Sequence, residues 1–379
     1  MKISSHFDSG SIELVSLADD GRIDLNLRLD QVSDPSVEIR QWFHFRLQGA
    51  RGQAVHLRFL NAAAATYPGG WKDYRACASY DHEHWFRVDT SYEEGVLSIS
   101  HTPERDSVYY AYFEPYSWER HLQLLGRAER SPLARVRDLG ESVDGRDLNL
   151  IEIRSESGSL NKRSCWIIAR QHPGETMAEW LAEGLVERLL DPLDPVARAL
   201  LDEAAFYIVP NMNPDGSVRG NLRVNAAGAN LNREWVDPSP ERSPEVFHVR
   251  NAIEESGCDF FLDVHGDETI PYVFTAGSEM LPTMTEAQKA EQERYLQALL
   301  RAAPDFQLKH GYSAGRYTED ALKLASKWIG NRFGCVSLTL ELPFKDNFDR
   351  PDAYVGWNGE RSKRLGRELL VALEDSWRK

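Results

Sequence analysis

The feature that most restricts the fold of this chain is a change of hydrophobic period near residue 116. Before it, apolar residues recur at every second position. In "GRIDLNLRLD", Ile23, Leu25, Leu27 and Leu29 share one face, with Asp24, Asn26 and Arg28 on the other. "WFHFRLQ" and "AVHLRFL" repeat the pattern around the turn "GARGQ", and "GVLSISHT" and "DSVYYAYFEP" follow. Short alternating strands joined by glycine-containing turns predict an antiparallel all-β sandwich. Helical character starts in "FEPYSWERHL", which divides the chain into residues 1–116 and residues 117–379.

Past that division, strands and helices alternate. "DLNLIEI", "SCWIIAR", "AAFYIVPN", "CDFFLDVHG" and "VSLTLEL" read as strands, with a long loop containing "NPDG" after the third. Helices are expected over "TMAEWLAEGLVERLLD", "SPEVFHVRNAIEES", "MTEAQKAEQERYLQALLRAA", "TEDALKLASKWIGNRF" and "ERSKRLGRELLVALEDSWR". The order predicts an α/β domain with a mixed sheet covered by helices on both faces. Functional residues in such sheets gather at the carboxyl ends of strands.

Composition narrows the partners. A 379-residue chain with 42% hydrophobic and 10% aromatic residues can build two cores. The formal net charge of −15 argues against nucleic acid or an anionic membrane as the main partner. No apolar run reaches the roughly 18 residues of a membrane span, and "MKISSHFDSGSIELVS" lacks the apolar stretch of a secretory signal. Cys77, Cys165, Cys258 and Cys335 are widely spaced, which suits neither a disulfide framework nor a cysteine zinc site. Reduced, mostly buried thiols in a cytoplasmic protein are the expectation.

The strand "CWIIA" runs straight into "ARQHPGETMAEW", placing His172 and Glu175 three apart at a strand's carboxyl end. Taken alone, these two are a polar turn or a pair of metal ligands. A second strand, "DFFLDVHGD", ends in His265, with Phe261 and Asp263 on the same face. Two imidazoles and a carboxylate make a three-ligand set suited to a catalytic zinc ion with an open position for water. In "VSLTLEL", Ser337, Thr339 and Glu341 share a face. Either that face is the wet side of an edge strand, or Glu341 is the general base that accepts a proton from an activated water. The loop "NPDGSVRGNLRVNAAGANLNREW" adds Arg219, Arg223 and Arg233. These are solvated cations or ligand contacts: Asn232 with Arg233 suits an anionic chain end, and Arg223 suits a developing oxyanion.

In order and type, "LGESVDGRDLNLIEI", H-P-G-E, N-P-D-G, "LNRE", "DVHG" and "TLEL" resemble the zinc carboxypeptidases of the carboxypeptidase A clan, from about residue 117 onward. "GANLNREW" and the preceding β-rich segment look most like the cytosolic carboxypeptidase branch, some members of which trim glutamates from protein tails. The resemblance implies one zinc ion on His172, Glu175 and His265, with Glu341 as base and Arg223 polarising the scissile carbonyl. It also implies that Asn232 and Arg233 grip the terminal carboxylate of a peptide or protein tail, and that Arg146 in "DGR" contacts substrate further along. Two positions depart from the pattern. Asn230 stands where many relatives place an Asp that supports a ligand His, and the mobile Tyr of the classical enzymes has two candidates, Tyr312 and Tyr317. A preference for acidic residues would need an inward cation; Arg316, Lys323 and Lys327 are the candidates, with ordinary helix-surface charge as the simpler expectation. The rival functions are a zinc amidohydrolase acting on N-acyl amino acids and a non-catalytic peptide-binding homologue.

Overall fold

The computed structural model describes residues 1–379 apart from Asp19, Ala314, Arg316, Tyr317 and Lys379, so two of the residues singled out above, Arg316 and Tyr317, lie outside the described residues. The amino-terminal part holds β1 (Lys2–Ser4), β2 (Glu13–Leu17), β3 (Arg22–Asn26), β4 (His44–Gln48), β5 (Val55–Phe59), β6 (Cys77–Ser79), β7 (Trp85–Arg87), β8 (Asp89–Glu93), β9 (Val96–His101) and β10 (Ser107–Ala111). They form two five-stranded sheets, ordered β1-β4-β10-β6-β7 and β2-β3-β5-β9-β8. Ile23, Leu25 and Leu27 point into the shared core with Phe45, Leu57 and Ile99, whereas Leu29 lies past the end of β3 and is exposed. One pairing departs from the antiparallel expectation: β3 and β5 run parallel. The chain leaves β3, contributes β4 to the other sheet, and returns, which is the crossover that parallel neighbours require.

The second part contains α1 (Trp118–Glu129), β11 (Ala134–Glu141), β12 (Asp147–Ile153), β13 (Arg163–Ala169), α2 (Met177–Leu189), α3 (Pro195–Glu203), β14 (Ala204–Val209), α4 (Pro214–Arg219) and α5 (Pro244–Ser256). After these come β15 (Phe260–Asp267), β16 (Phe274–Ala276), α6 (Glu286–Ala302), α7 (Ala325–Phe333), β17 (Val336–Pro343) and α8 (Gly359–Trp377). The seven strands lie in the order β11-β12-β14-β13-β15-β17-β16. The central β14, β13, β15 and β17 are parallel and the flanking strands antiparallel. Phe260, Leu262 and Val264 of β15 enter the core shared with Leu181, Leu185 and Leu369, on α2 and α8. Phe261, on the opposite face, packs with Val249, Ile253 and Ile329, from α5 and α7. The sheet is therefore covered on both sides, as the alternating sequence pattern requires.

The sequence reading did not include β11, α3 or β16, and two further segments differ for identifiable local reasons. The "NPDG" loop contains the short helix α4, because the Asn213 side chain accepts from Gly216 N (3.1 Å), Pro214 occupies the first turn, and Gly220 closes the helix at φ 70°. "TEDALKLASKWIGNRF" is a 3₁₀ turn (Glu319–Lys323), an extended Leu324, and then α7. The break frees Ala325 N to donate to Asn232 Oδ1 at 2.9 Å, so a residue of the site loop satisfies the first turn of α7.

The two parts are joined by buried Arg87 of β7. Its guanidinium donates to the carbonyls of Phe344 (2.9 Å) and Lys345 (3.2 Å), just beyond the end of β17, and of Trp357 (2.9 Å), just before α8. Arg87→Ala removes the guanidinium donor from all three carbonyls, leaving Lys345 O only its bond from Trp357 N (2.9 Å), and is expected to cost about 3 kcal/mol or more of stability. Urea unfolding measures it; a loss below about 1 kcal/mol would contradict the account.

Candidate metal centre and active-site cleft

Strand β13 ends at Ala169, and the chain turns at once through Arg170, which holds a positive φ of 61°. A buried ion pair to Glu179 (2.7 Å) and donation to the carbonyls of Tyr116 (3.0 Å) and Pro173 (2.9 Å) hold this turn. The strained turn aims His172 and Glu175 over the sheet. Gly174 then passes so close to Leu222 that a Cβ would sit 2.9 Å from the Leu222 carbonyl. His265 comes from β15 and Glu341 from β17, in direct register across adjacent parallel strands.

These elements bring the predicted ligands together. Donor atoms of His172, Glu175 and His265 lie within 4.8 Å of one another, and all three residues are buried. The Glu175 oxygens stand 2.7 Å from His172 Nδ1 and 2.8 Å from His265 Nδ1, and the two Nδ1 atoms are 3.2 Å apart. The outer nitrogens are already engaged. His172 Nε2 meets Asn230 Oδ1 at 3.0 Å, and His265 Nε2 meets Asp263 Oδ2 at 2.9 Å. An acceptor on each Nε2 fixes the proton there and turns both Nδ1 lone pairs inward. Two lone pairs and a carboxylate facing one point repel each other unless a cation lies between them, so the donor set fits a divalent metal ion.

The charge states agree. Burial and the nearby Arg223 guanidinium push His172 down to about 4, leaving a neutral ring. Burial opposes a charge on Glu175, but the two imidazoles hold it well below the usual carboxylate range. Burial also opposes a proton on His265, yet Asp263 and Glu175 outweigh it and hold the ring well above its ordinary value. In the metal-free chain a proton on His265 balances the charge that an ion would otherwise supply.

The donor cluster opens into a cavity of about 860 Å³ lined by Tyr67, Arg223, Asn232, Arg233, Lys327 and Glu341, among others. Glu341 Oε1 accepts from the Tyr312 hydroxyl (3.0 Å), which also lies 2.8 Å from Asp267 Oδ2, while buried Oε2 has no partner among the described residues. Burial pushes Glu341 up to about 8; Glu175 and Asp267 add to the rise, and His265 and Tyr312 oppose it. Its strand face is not a wet edge. β16 flanks β17, and α7 covers the face, where Ser337 Oγ donates to Ser326 O (2.6 Å) and the Thr339 and Ser326 hydroxyls meet at 2.7 Å. Among the described residues, neither Arg223 nor Arg233 has a carboxylate within ion-pair distance. Arg223 instead lies 5.5 Å from the Tyr67 ring centroid, and Arg233 Nη1 donates to Asn232 O (2.7 Å).

Other expectations fall differently. Arg146 is not among the residues that line the cavity; its guanidinium pairs with Asp215 (2.7 Å) and Asp144 (3.2 Å). Arg219 is likewise bound to Asp144 at 2.6 Å. Lys323 is exposed and pairs with Asp320. Lys327, by contrast, is no surface charge. It is buried in the cavity wall, with Nζ donating to the carbonyls of Ala276 (3.4 Å) and Gly277, and burial pushes it down to about 8. The sequence reading passed over Gln171, whose Nε2 donates to both Asp263 oxygens at 2.9 Å and whose Oε1 accepts from Trp235 (2.9 Å). It also passed over Glu268 and Tyr67 on the cavity wall. The position of Gln171 beside a candidate ligand was the one available signal.

An α/β sheet with this donor set at its strand ends is the framework of a metallopeptidase. Residues 119–360 match the family model "Zinc carboxypeptidase", and residues 3–113 match "Cytosolic carboxypeptidase N-terminal domain". The chain belongs to the zinc carboxypeptidase family and is a metallocarboxypeptidase. Mouse cytosolic carboxypeptidase 6 is 27% identical over 98% of this chain and 72% of its own. The crystal structure of a metallo-carboxypeptidase from Burkholderia cenocepacia is 56% identical, with a TM-score of 0.96 over 99% of this chain and 98% of its own. A metallo-carboxypeptidase from Pseudomonas aeruginosa, in complex with (2-guanidinoethylmercapto)succinic acid, is 44% identical, with a TM-score of 0.94 over 99% of this chain and 98% of its own. Because Asp263 holds the outer nitrogen of His265, Asp263→Asn is expected to weaken divalent-metal binding about 10-fold to 100-fold. Competition with a chromophoric chelator reads this, and an unchanged affinity would contradict the support role.

Proposed function

We propose that the chain, as a β-sandwich domain over residues 1–116 and a peptidase domain over residues 117–379, removes C-terminal amino acids from peptides or protein tails, using one zinc ion, with a preference for acidic residues. The observation that carries this reading is two guanidinium groups, Arg223 and Arg233, without carboxylate partners among the described residues, beside a three-donor metal site in a chain of net charge −15. Surface arginines in such an acidic chain find partners easily, so these two are held for an anionic ligand. The succinic acid derivative bound by the Pseudomonas protein carries two carboxylates and a guanidino group; its carboxylates are consistent with a cleft that grips a chain end, while its guanidino group does not support an acidic side-chain preference. The match to a cytosolic carboxypeptidase domain supports a cytoplasmic setting.

His172, Glu175 and His265 would hold the zinc ion, which when bound supplies a Lewis acid that polarises a carbonyl and acidifies water. The remaining steps belong to the chain itself. Arg233 and Asn232 bind the terminal carboxylate, which fixes the chain end and lowers the entropic part of the barrier. Arg223 donates to the oxygen of the scissile carbonyl as negative charge develops there. Glu341 takes a proton from the attacking water at Oε2, which has no partner among the described residues, and delivers it to the leaving amine, while the Tyr312 hydroxyl holds Oε1. The Tyr312 hydroxyl, the tyrosine candidate among the described residues, reaches the base. Lys327 stands in the wall to meet a side-chain carboxylate of the residue being released.

Glu341→Gln is expected to retain zinc and bind peptide while turnover falls about 10²-fold to 10⁴-fold. A variant that still cleaves at the parent rate would remove Glu341 from the base role. Side-by-side hydrolysis of peptides ending in Glu, Lys and Leu tests selectivity, with Glu preferred. Lys327→Met should lower kcat/KM for the Glu peptide about 10-fold to 100-fold, the size of one charge-assisted hydrogen bond, and leave the Leu peptide unaffected. Equal rates for all three peptides in the parent protein would sink acid selectivity.

A further inference from the structure

Arg223 sits on a loop of the peptidase domain, but what shapes that loop comes from the sandwich. Asp30 lies just past β3 and is buried. Its carboxylate accepts three consecutive backbone N–H groups: Leu222 (2.6 Å) and Arg223 (2.9 Å), with Val224 at 3.2 Å. Three successive amides converging on one point form an anion-binding concavity that opens by mutual repulsion when the anion is removed. Neighbouring contacts from the same domain hold the approach to this loop. Arg28 donates to Arg219 O (2.7 Å), Gln31 N donates to Asn221 Oδ1 (2.9 Å), and Ser9 N donates to Val218 O (3.0 Å). On the cavity side, the Tyr67 ring backs the Arg223 guanidinium at 5.5 Å.

A buried carboxylate whose hydrogen bonds are all backbone amides is an expensive way to hold a loop, since its desolvation is only partly repaid. Burial accordingly pushes Asp30 up to about 6, against the three amides and the Arg223 charge that favour ionisation. A neutral acceptor would serve packing alone. An anion placed at this point also fixes the backbone from which one guanidinium projects into the cavity, because the middle amide of the three is that of Arg223 itself.

We propose that Asp30 is a positioning residue for the peptidase reaction: through the amides of Leu222, Arg223 and Val224, the sandwich domain sets the guanidinium of Arg223 against the scissile carbonyl. The inference rests on the role given to Arg223 above. It makes the sandwich a working part of the cleft, since the peptidase domain contributes the arginine and the sandwich contributes its placement. A second route from the same loop is distinguishable. Leu222 O accepts from Gly174 N at 2.9 Å, next to the metal ligands, so a disturbance travelling that way would appear as weaker metal binding rather than slower turnover.

The test is a double-mutant cycle in the zinc-loaded full-length protein, with Asp30→Asn, Arg223→Ala and the pair assayed on one C-terminal peptide. Arg223→Ala alone is expected to lower kcat about 10²-fold to 10³-fold, as for loss of one oxyanion donor. Asp30→Asn is expected to lower kcat about 10-fold or more, the cost of a small misplacement, with KM and zinc content unchanged. In the Arg223→Ala background the same Asp30→Asn change should cost less than about 2-fold, because the group it positions is gone. Additive losses, or a loss that follows zinc content, would overturn the proposal while leaving the role of Arg223 intact. If Arg223→Ala turns over normally, the oxyanion reading fails first and the positioning role with it. Should Asp30→Asn not fold, Asp30→Glu, which keeps the charge but displaces the carboxylate by one methylene, carries the same cycle with the same two outcomes.

Discussion

Two imidazole nitrogens and a carboxylate converge on one point with their lone pairs inward, and the surroundings make sense only if a cation stands between them. The Nδ1 atoms of His172 and His265 are 3.2 Å apart, each within 2.8 Å of a Glu175 oxygen, in a buried setting. Without positive charge, this arrangement is repulsive and badly desolvated. Much of the nearby backbone serves to hold it. Arg170 accepts a left-handed conformation, Gly174 runs against Leu222 with no room for a side chain, and Asn230, Asp263 and Gln171 fix the rings from behind. Strain and buried charge of this kind are tolerated where the rest of the fold over-determines them.

Around that point the cleft carries both signs of charge. Glu175, Glu268 and Glu341 line it, and burial raises both Glu268 and Glu341. The cations Arg223, Arg233 and Lys327 occupy the walls. In the proposed reaction a peptide end brings its carboxylate to Arg233 and Asn232 and its scissile carbonyl between Arg223 and the metal donors, so one cavity serves both binding and chemistry. The β-sandwich is part of this arrangement. Tyr67 lines the cavity, Arg87 ties down the segment after the Glu341 strand, and the edge of the same domain shapes the Arg223 loop.

How much of this could be read beforehand follows from how local each signal is. Period-two alternation marked the sandwich, and apolar runs ending in His or Glu marked β13, β15 and β17, because strand burial is written in adjacent residues. The parallel β3–β5 pair was not legible, since it depends on which sheet an intervening strand joins. The break before α7 was hidden because the "ALKLASKW" pattern is continuous, and only the Asn232 amide, some 93 positions away, gives Ala325 N its partner. The partners of Arg146 were hidden for a related reason: the fold brings buried Asp215 to it, which no spacing discloses. Lys327 reads as an exposed helix charge until the cavity places it in a wall. The donor cluster and Glu341 were visible as residue types at strand ends, whereas pairing, capping and long-range neighbours were not.

The account stands on one metal ion at one place. X-ray diffraction from crystals of the purified, zinc-equilibrated protein, collected on both sides of the zinc absorption edge, tests it most directly. The predicted result is a single anomalous peak bound by Nδ1 of His172, Nδ1 of His265 and the Glu175 carboxylate, with Glu341 beside it and not ligating. A map with no peak there, or with zinc bound through the outer Nε2 atoms or at another site, would contradict it.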